Sequence, residues 1–328
     1  MRTLMYSTKR YDRLSFEECN GEHGHEIEYL DARLDARTAD LAEGFGAVCI
    51  FVNDDAGAGT ISRLAELGVS AIALRCAGYN NVDLAGAADA GIVVVRVPAY
   101  SPEAVAEHTL ALILGLDRHI HRAYQRVRDG NFALDGLLGN GLHGATAGVV
   151  GTGRIGHLVA QLLLAFGCEV VAHDPYVDER LVAAGVRYVS RSELLQGSDI
   201  IALTCPLTAD TFHLINAAAV AEMKDGVMIV NTGRGALVDT AAVIAGLKSG
   251  RIGALGLDVY EEEAPLFFED RSTEVITDDV FARLLTFPNV LLTAHQAFFT
   301  RPALRAIAAT TLANLADLDA GRECPNRV

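Results

Sequence analysis

The sequence predicts an α/β protein built from two doubly wound parallel sheets, one module inserted into the other. Three observations predict it. Short, solidly apolar runs alternate with helix-like segments along most of the chain, the pattern of parallel strands buried on both faces. A GxGxxG run follows one such apolar run near the middle of the chain, not near its start. The C-terminal region closes on one amphipathic stretch that could return to the first module.

In chain order, the first strands are expected at Leu4–Tyr6, Val48–Val52, Ala71–Leu74 and Val93–Val97. Ser101-Pro102-Glu103 has the form of an N-cap, a proline at the first helical position and an acidic first turn. One helix is expected from there through Ala104–Arg128. Scattered Asn and Gly between 129 and 144 break the pattern. A second series then begins, with strands expected at Ala147–Val150, Glu169–His173, Ile200–Thr204, Val227–Asn231, Ala254–Asp258 and Val290–Thr293. Helices are expected at His157–Phe166 and Pro302–Asp319. The chain therefore crosses between modules twice, near Ala99–Ser101 and near Phe298–Arg301. This gives a discontinuous, flavodoxin-like substrate and catalytic domain of residues 1–100 and 300–328, and an inserted Rossmann-like domain of residues 101–299.

Composition narrows the function. A net charge of -15 disfavours nucleic acid and anionic membrane surfaces, which need clustered Lys and Arg. An anionic substrate would then need a local cation. The N-terminal MRTLMYSTKRYDRLSFEE has no apolar h-region, so no signal peptide is read there. Six cysteines without CxxC or regular spacing read as free thiols of a cytoplasmic protein. His23/His25 and His119/His121 have no third ligand at matching spacing, and no metal is expected.

The Gly151-Thr152-Gly153-Arg154-Ile155-Gly156 run follows an apolar strand and opens a helix. Gly151 makes the tight turn, Gly153 admits a pyrophosphate, and Gly156 lets helix pack on strand. Asp174 ends the next strand, where a carboxylate accepts the ribose hydroxyls and repels a 2′-phosphate. The cofactor is read as NAD.

Three further strand ends carry unusual polar residues. Arg234 sits between glycines in Asn231-Thr232-Gly233-Arg234-Gly235, placed for a bidentate grip on a carboxylate. Asp258-Val259-Tyr260-Glu261-Glu262-Glu263 ends in an acidic turn, and His295 follows Val290–Leu292. A histidine can protonate a keto oxygen, and one of the glutamates would hold its tautomer and favour its charged form.

These segments resemble the D-isomer-specific 2-hydroxyacid dehydrogenases, closest to the bacterial fermentative D-lactate dehydrogenases. The likeness runs over nearly the whole chain through YSTKRYD, VCIFVNDD, IALRCAGYNNVDL, VVRVPAYSPEAVAEHT, RHIHRAYQRVRDGNF, GVVGTGRIG, MIVNTGRGALVD, GLDVYEEEAPLFFED, TAHQAFFT and CPN. The resemblance implies NADH-dependent, reversible reduction of pyruvate to D-lactate, with a bulkier keto acid such as phenylpyruvate or 2-ketoisocaproate as the alternative. A non-catalytic NAD-sensing protein is the reading from another class. It implies Arg234 as the carboxylate clamp, His295 as proton donor and Glu263 as its partner. It implies a substrate pocket shaped by Ala77, Gly78, Tyr79, Tyr100 and Phe299. Arg154 and Ile155 would touch the pyrophosphate, and Cys205, Pro206, Thr211, Thr232, Gly233 and Asp258 the rest of the cofactor. A homodimer or homotetramer is expected. Two positions depart from the family pattern: Thr204, where relatives often carry His, and Pro265 in the turn after Glu263.

Overall fold

The apolar runs become parallel strands, and the chain divides into two units. The computed structural model describes residues 1–264 and 266–328; Pro265, one of the two departures, lies outside the described residues. The first unit is Met1–Ser101 with Phe299–Val328, and the second is Pro102–Phe298.

The first unit holds β1 (Arg2–Met5), β2 (Glu26–Tyr29), β3 (Ala47–Ile50), β4 (Ala71–Leu74) and β5 (Val93–Val95), all parallel, in the order β2-β1-β3-β4-β5. Every residue of β3 and β4 is buried, which explains their unbroken apolar runs. β2 is the strand that pattern reading misses. It reads Glu-Ile-Glu-Tyr, and its glutamates are exposed at the sheet edge. β5 ends at Val95, two residues short of expectation, because the Arg96 N–H turns to the Asn326 carbonyl and the Val97 N–H to that of Cys76. The helix Arg301–Asp319 packs on the helix Arg10–Asn20.

The second unit holds β6 (Thr146–Val150), β7 (Glu169–His173), β8 (Arg187–Tyr188), β9 (Ile200–Leu203), β10 (Val227–Asn231), β11 (Ile252–Leu257) and β12 (Val290–Leu292). They form one parallel sheet in the order β12-β11-β10-β9-β6-β7-β8. Strand residues alternate between two cores. Val150, Ile201, Leu203 and Ile229 face one, and Val149, Ala202 and Val230 the other. The expected helix through Arg128 is instead two. Pro102–Asp117 is apolar and largely buried, and Ile120–Arg128 buries nothing. The break falls at His119, which adopts φ 50°. Asp117, itself buried, turns its carboxylate to the Asn140 and Gly141 N–H groups. No Gly or Pro marks this break, so sequence pattern cannot show it.

Candidate active site

The sheet of the second unit aligns its functional segments. One registered row runs His173, Val150, Leu203, Asn231, Leu257 and Leu292 across six adjacent strands. Each of these residues is the last of its strand. The next residues are Asp174, Gly151, Thr204, Thr232, Asp258 and Thr293. All the polar segments singled out in this unit thus leave the same edge. Strand order reverses between β6 and β9, the switch point at which open α/β sheets take ligands.

The glycine loop follows β6 at that point. Gly151 has φ 88°, and a Cβ there would lie 2.6 Å from the Cys205 backbone nitrogen. A Cβ on Gly156 would run into the Gly151 carbonyl oxygen, so the helix sits directly on the turn. That helix spans Arg154–Ala165 with Gly153 as N-cap, three residues earlier than expected at its start. No side chain caps it, and around Gly153 a Cβ would meet nothing within 4 Å. Uncapped N–H groups beside open space fit a dinucleotide pyrophosphate. Asp174 accepts the Thr152 N–H at 2.6 Å and the Tyr176 N–H at 2.8 Å. Tyr188 on β8 donates its hydroxyl to Thr152 Oγ1 at 2.9 Å and accepts the Asp178 N–H. Asp178 also pairs with His157 Nδ1 at 2.8 Å. Thr204, the departure in β9's exit, donates its hydroxyl to the Gly151 carbonyl at 2.7 Å and so clamps the turn. Cys205 is buried beside it, and burial pushes its thiol up to about 11. Thr211 donates to the Pro206 carbonyl at 2.7 Å, and Thr232 bonds Thr109 at 2.8 Å.

The second group lies past β10, β11 and β12. Asn231 folds the first turn on itself, with Nδ2 donating to the Arg234 carbonyl and Oδ1 accepting the Gly233 N–H. The Arg234 guanidinium donates through Nη1 to the Gly233 carbonyl, and among the described residues no carboxylate pairs with it. His295 holds φ 53°, a left-handed backbone costly for a non-glycine, and its N–H bonds the Asp258 carbonyl at 2.7 Å. Its Nδ1 donates to Glu263 Oε1 at 2.7 Å, which leaves Nε2 as the second ring nitrogen. Glu263 Oε2 accepts the Tyr260 N–H at 3.0 Å. Of the three consecutive glutamates, Glu263 is the histidine's partner.

Asp258 anchors this group. It is 1% exposed and accepts from Thr293 Oγ1, the Gln296 N–H and the Ala297 N–H, while His108 Nε2 lies 3.4 Å away. Burial raises its carboxyl, but the hydrogen bonds from His108, Thr293 and Ala297 and the nearby His295 outweigh that and leave it below the usual carboxylate range. His108, on the helix Pro102–Asp117, also bonds Thr293 at 3.0 Å. The sequence signal for it was a histidine between Glu107 and Thr109 in a mostly apolar helix.

In the first unit, Ala77, Gly78 and Tyr79 follow β4. Arg96 Nη1 donates to the Ala77 carbonyl at 2.8 Å, its guanidinium lies 5.1 Å from the Tyr79 ring centroid, and Cys76 Sγ donates to the Gly78 carbonyl. Tyr100 is half-buried at the end of this segment, and Phe299 packs edge-on to Tyr11 with centroids 4.7 Å apart.

A sequence model described as D-isomer specific 2-hydroxyacid dehydrogenase, NAD binding domain, matches residues 110–297. The D-lactate dehydrogenase of Escherichia coli (strain K12) is 52% identical over 328 residues, covering all of both chains. The apo-structure of D-lactate dehydrogenase from Escherichia coli aligns over all of both chains with a TM-score of 0.92 at 50% identity. A D-lactate dehydrogenase from Aquifex aeolicus, complexed with NAD and lactic acid, aligns with a TM-score of 0.87 at 34% identity over 97% of this chain and 96% of that one. With the glycine loop at the switch point, the His295–Glu263 pair on the same edge of the sheet and this likeness over the full length, the chain belongs to the D-isomer-specific 2-hydroxyacid dehydrogenase family and carries its NAD-binding domain.

Proposed function

We propose that this protein is a D-lactate dehydrogenase that reduces pyruvate to D-lactate, reversibly, with NADH. The observation that carries the reading is the His295–Glu263 pair, held past β12 and β11 on the same sheet edge as Arg234 past β10, an arginine that pairs with no carboxylate among the described residues. Arg234 grips the substrate carboxylate with its planar fork, the local cation that an acidic chain needs for an anionic substrate. NADH, when bound, supplies the hydride that reduces the keto carbon. His295 gives the proton from Nε2 to the keto oxygen and takes it back in the oxidation direction. Glu263 holds the ring and stabilises the imidazolium, and Asp258 fixes the His295 backbone from behind.

The second unit is the NAD-binding domain. Gly151, Gly153, Arg154, Ile155 and Gly156 take the pyrophosphate, and Asp174 takes the ribose hydroxyls and rejects a 2′-phosphate. Cys205, Pro206, Thr211, Thr232 and Gly233 line the rest of the cofactor's path. In the first, substrate-side unit, Ala77, Gly78, Tyr79, Tyr100 and Phe299 bound the keto acid's small side chain. Cysteines that are mostly buried suit a reducing cytoplasm.

The protein works as a homo-oligomer through the helix Ile120–Arg128 and the segment after it. Ile120, Tyr124 and Val127 share one helix face and are all exposed, and Phe132, Leu134 and Leu138 add to this apolar surface.

The test is NADH oxidation by the purified protein on adding pyruvate, then phenylpyruvate, with NADPH as control. Rapid oxidation with pyruvate, little with NADPH and a product of D configuration support the reading. Preference for phenylpyruvate moves the substrate but keeps the chemistry. NADH binding with no turnover on any keto acid overturns it.

A further inference from the structure

The molecule contains a second histidine–glutamate pair, outside the proposed catalytic group. His213 Nε2 meets Glu261 Oε1 at 2.5 Å, and the other Glu261 oxygen accepts the Thr240 hydroxyl at 3.1 Å. Neither residue takes part in the reduction proposed above. We infer that His213 and Glu261 are positioning residues, a brace that fixes the turn bearing Arg234 against the turn bearing Glu263. This inference rests on the proposed reduction for its kinetic consequence, but its geometry stands alone.

Three contacts converge on the two turns. The His213 N–H bonds the Ala236 carbonyl at 2.8 Å and the Ile215 N–H bonds that of Leu237, so the His213 segment lies along the short turn Gly235–Leu237 directly after Arg234. The His213 side chain reaches Glu261, two residues before Glu263. Between them the turns touch backbone to backbone. A Cβ on Gly235 would collide with the Tyr260 carbonyl group and the Glu261 nitrogen. His213 itself is held at φ 48°, a backbone that a non-glycine keeps only where its surroundings demand it, and Phe212 stacks on its ring at 4.0 Å. Tyr260, between Asp258 and Glu261, donates its N–H to Glu263. A shift of Glu261 therefore moves the group that orients His295. A displacement of that kind, of about 1 Å, costs on the order of 100-fold in rate.

The test compares His213→Ala, His213→Gln and Glu261→Gln with the parent protein. Three readouts are used: steady-state kinetics with pyruvate, NADH affinity by fluorescence, and affinity of the NADH complex for oxamate, an analogue that keeps the carboxylate and is not reduced. His213→Ala is expected to lower kcat/KM for pyruvate by roughly 10- to 100-fold and to weaken oxamate in the same direction, with the NADH Kd within about twofold of the parent value. His213→Gln, which keeps a donor near the Nε2 position, recovers part of that loss, and the double variant His213→Ala/Glu261→Gln loses no more than the worse single one. Hydrogen exchange supplies an arm independent of turnover: amides at 235–238 and 260–263 exchange faster together in His213→Ala. Unchanged exchange in those turns overturns the brace whether or not the parent reduces pyruvate. So does parent-like kcat/KM in a folded variant, or NADH affinity falling in step with pyruvate. A parent protein silent on keto acids refutes the proposed reduction and leaves the exchange result to decide the brace.

Discussion

Gly153 and Gly156 stand three residues apart and make opposite demands. A methyl group on Gly156 has no room against the Gly151 carbonyl, so Gly156→Ala is expected to destabilise the protein by about 2 kcal/mol or more, read by thermal unfolding without any ligand. A methyl group on Gly153 meets nothing within 4 Å, and its backbone angles suit any residue. Gly153→Ala is therefore expected to leave thermal stability almost unchanged while weakening NADH at least tenfold, because the space it fills is the one proposed above for the pyrophosphate. Normal NADH affinity in that variant would move the phosphates elsewhere. In the catalytic group, Arg234→Lys should raise KM for pyruvate and lower kcat, since a point charge does not replace a bidentate fork. His295→Gln should lower kcat by about 100-fold or more with NADH affinity retained. At this scale the residue types were legible in the sequence, but the pairings were not. Three adjacent glutamates offered His295 a partner; residue pattern alone left the choice open, the family resemblance pointed to Glu263, and the folded turn bonds the two, while only the fold gives Glu261 to His213.

Strands and helices were legible in proportion to how much they bury. β3, β4, β9 and β10 are wholly buried and announce themselves as apolar runs. β2 and β8 lie at sheet edges and carry charged residues, so their pattern is no stronger than that of a loop. The break between Asp117 and Ile120 is made by a buried carboxylate serving a distant loop, a tertiary cause without a local signature. Caps behave otherwise, being local. Asp278 accepts the Val280 and Phe281 N–H groups at 2.9 Å each and also the Tyr260 hydroxyl at 2.7 Å. Asp278→Ala is expected to cost about 2 kcal/mol, the cap and the orphaned hydroxyl together, measured by denaturant unfolding. A cost below about 0.5 kcal/mol would mean that the helix Asp279–Leu285 does not depend on its cap.

For the whole molecule, acid is the informative perturbation. Asp258 titrates below its ordinary value of 3.8 in the native state, so its ionised form favours folding. That contribution is fully present above about pH 4 and is lost as pH falls through the lowered native value. The thermal midpoint of Asp258→Asn should accordingly lie below that of the parent near pH 7, with the gap narrowing as the parent is acidified below pH 4; a gap that widens there would contradict the assignment. Much of this protein can be read from residue order alone: the alternation of buried strands and helices, the glycine turn, the acidic residue closing the next strand, and the identities of Arg234 and His295. Each is encoded locally, because a periodic apolar pattern or a turn needs only its own neighbours. The tertiary structure decided which groups meet. Strand order and register bring the ends of β10, β11 and β12 side by side, and only then do Asp258, His108, Thr204 and His213 acquire partners more than 30 residues away. Such pairings carry no periodic trace, since each depends on the route of the chain between two residues and not on either residue's surroundings in sequence.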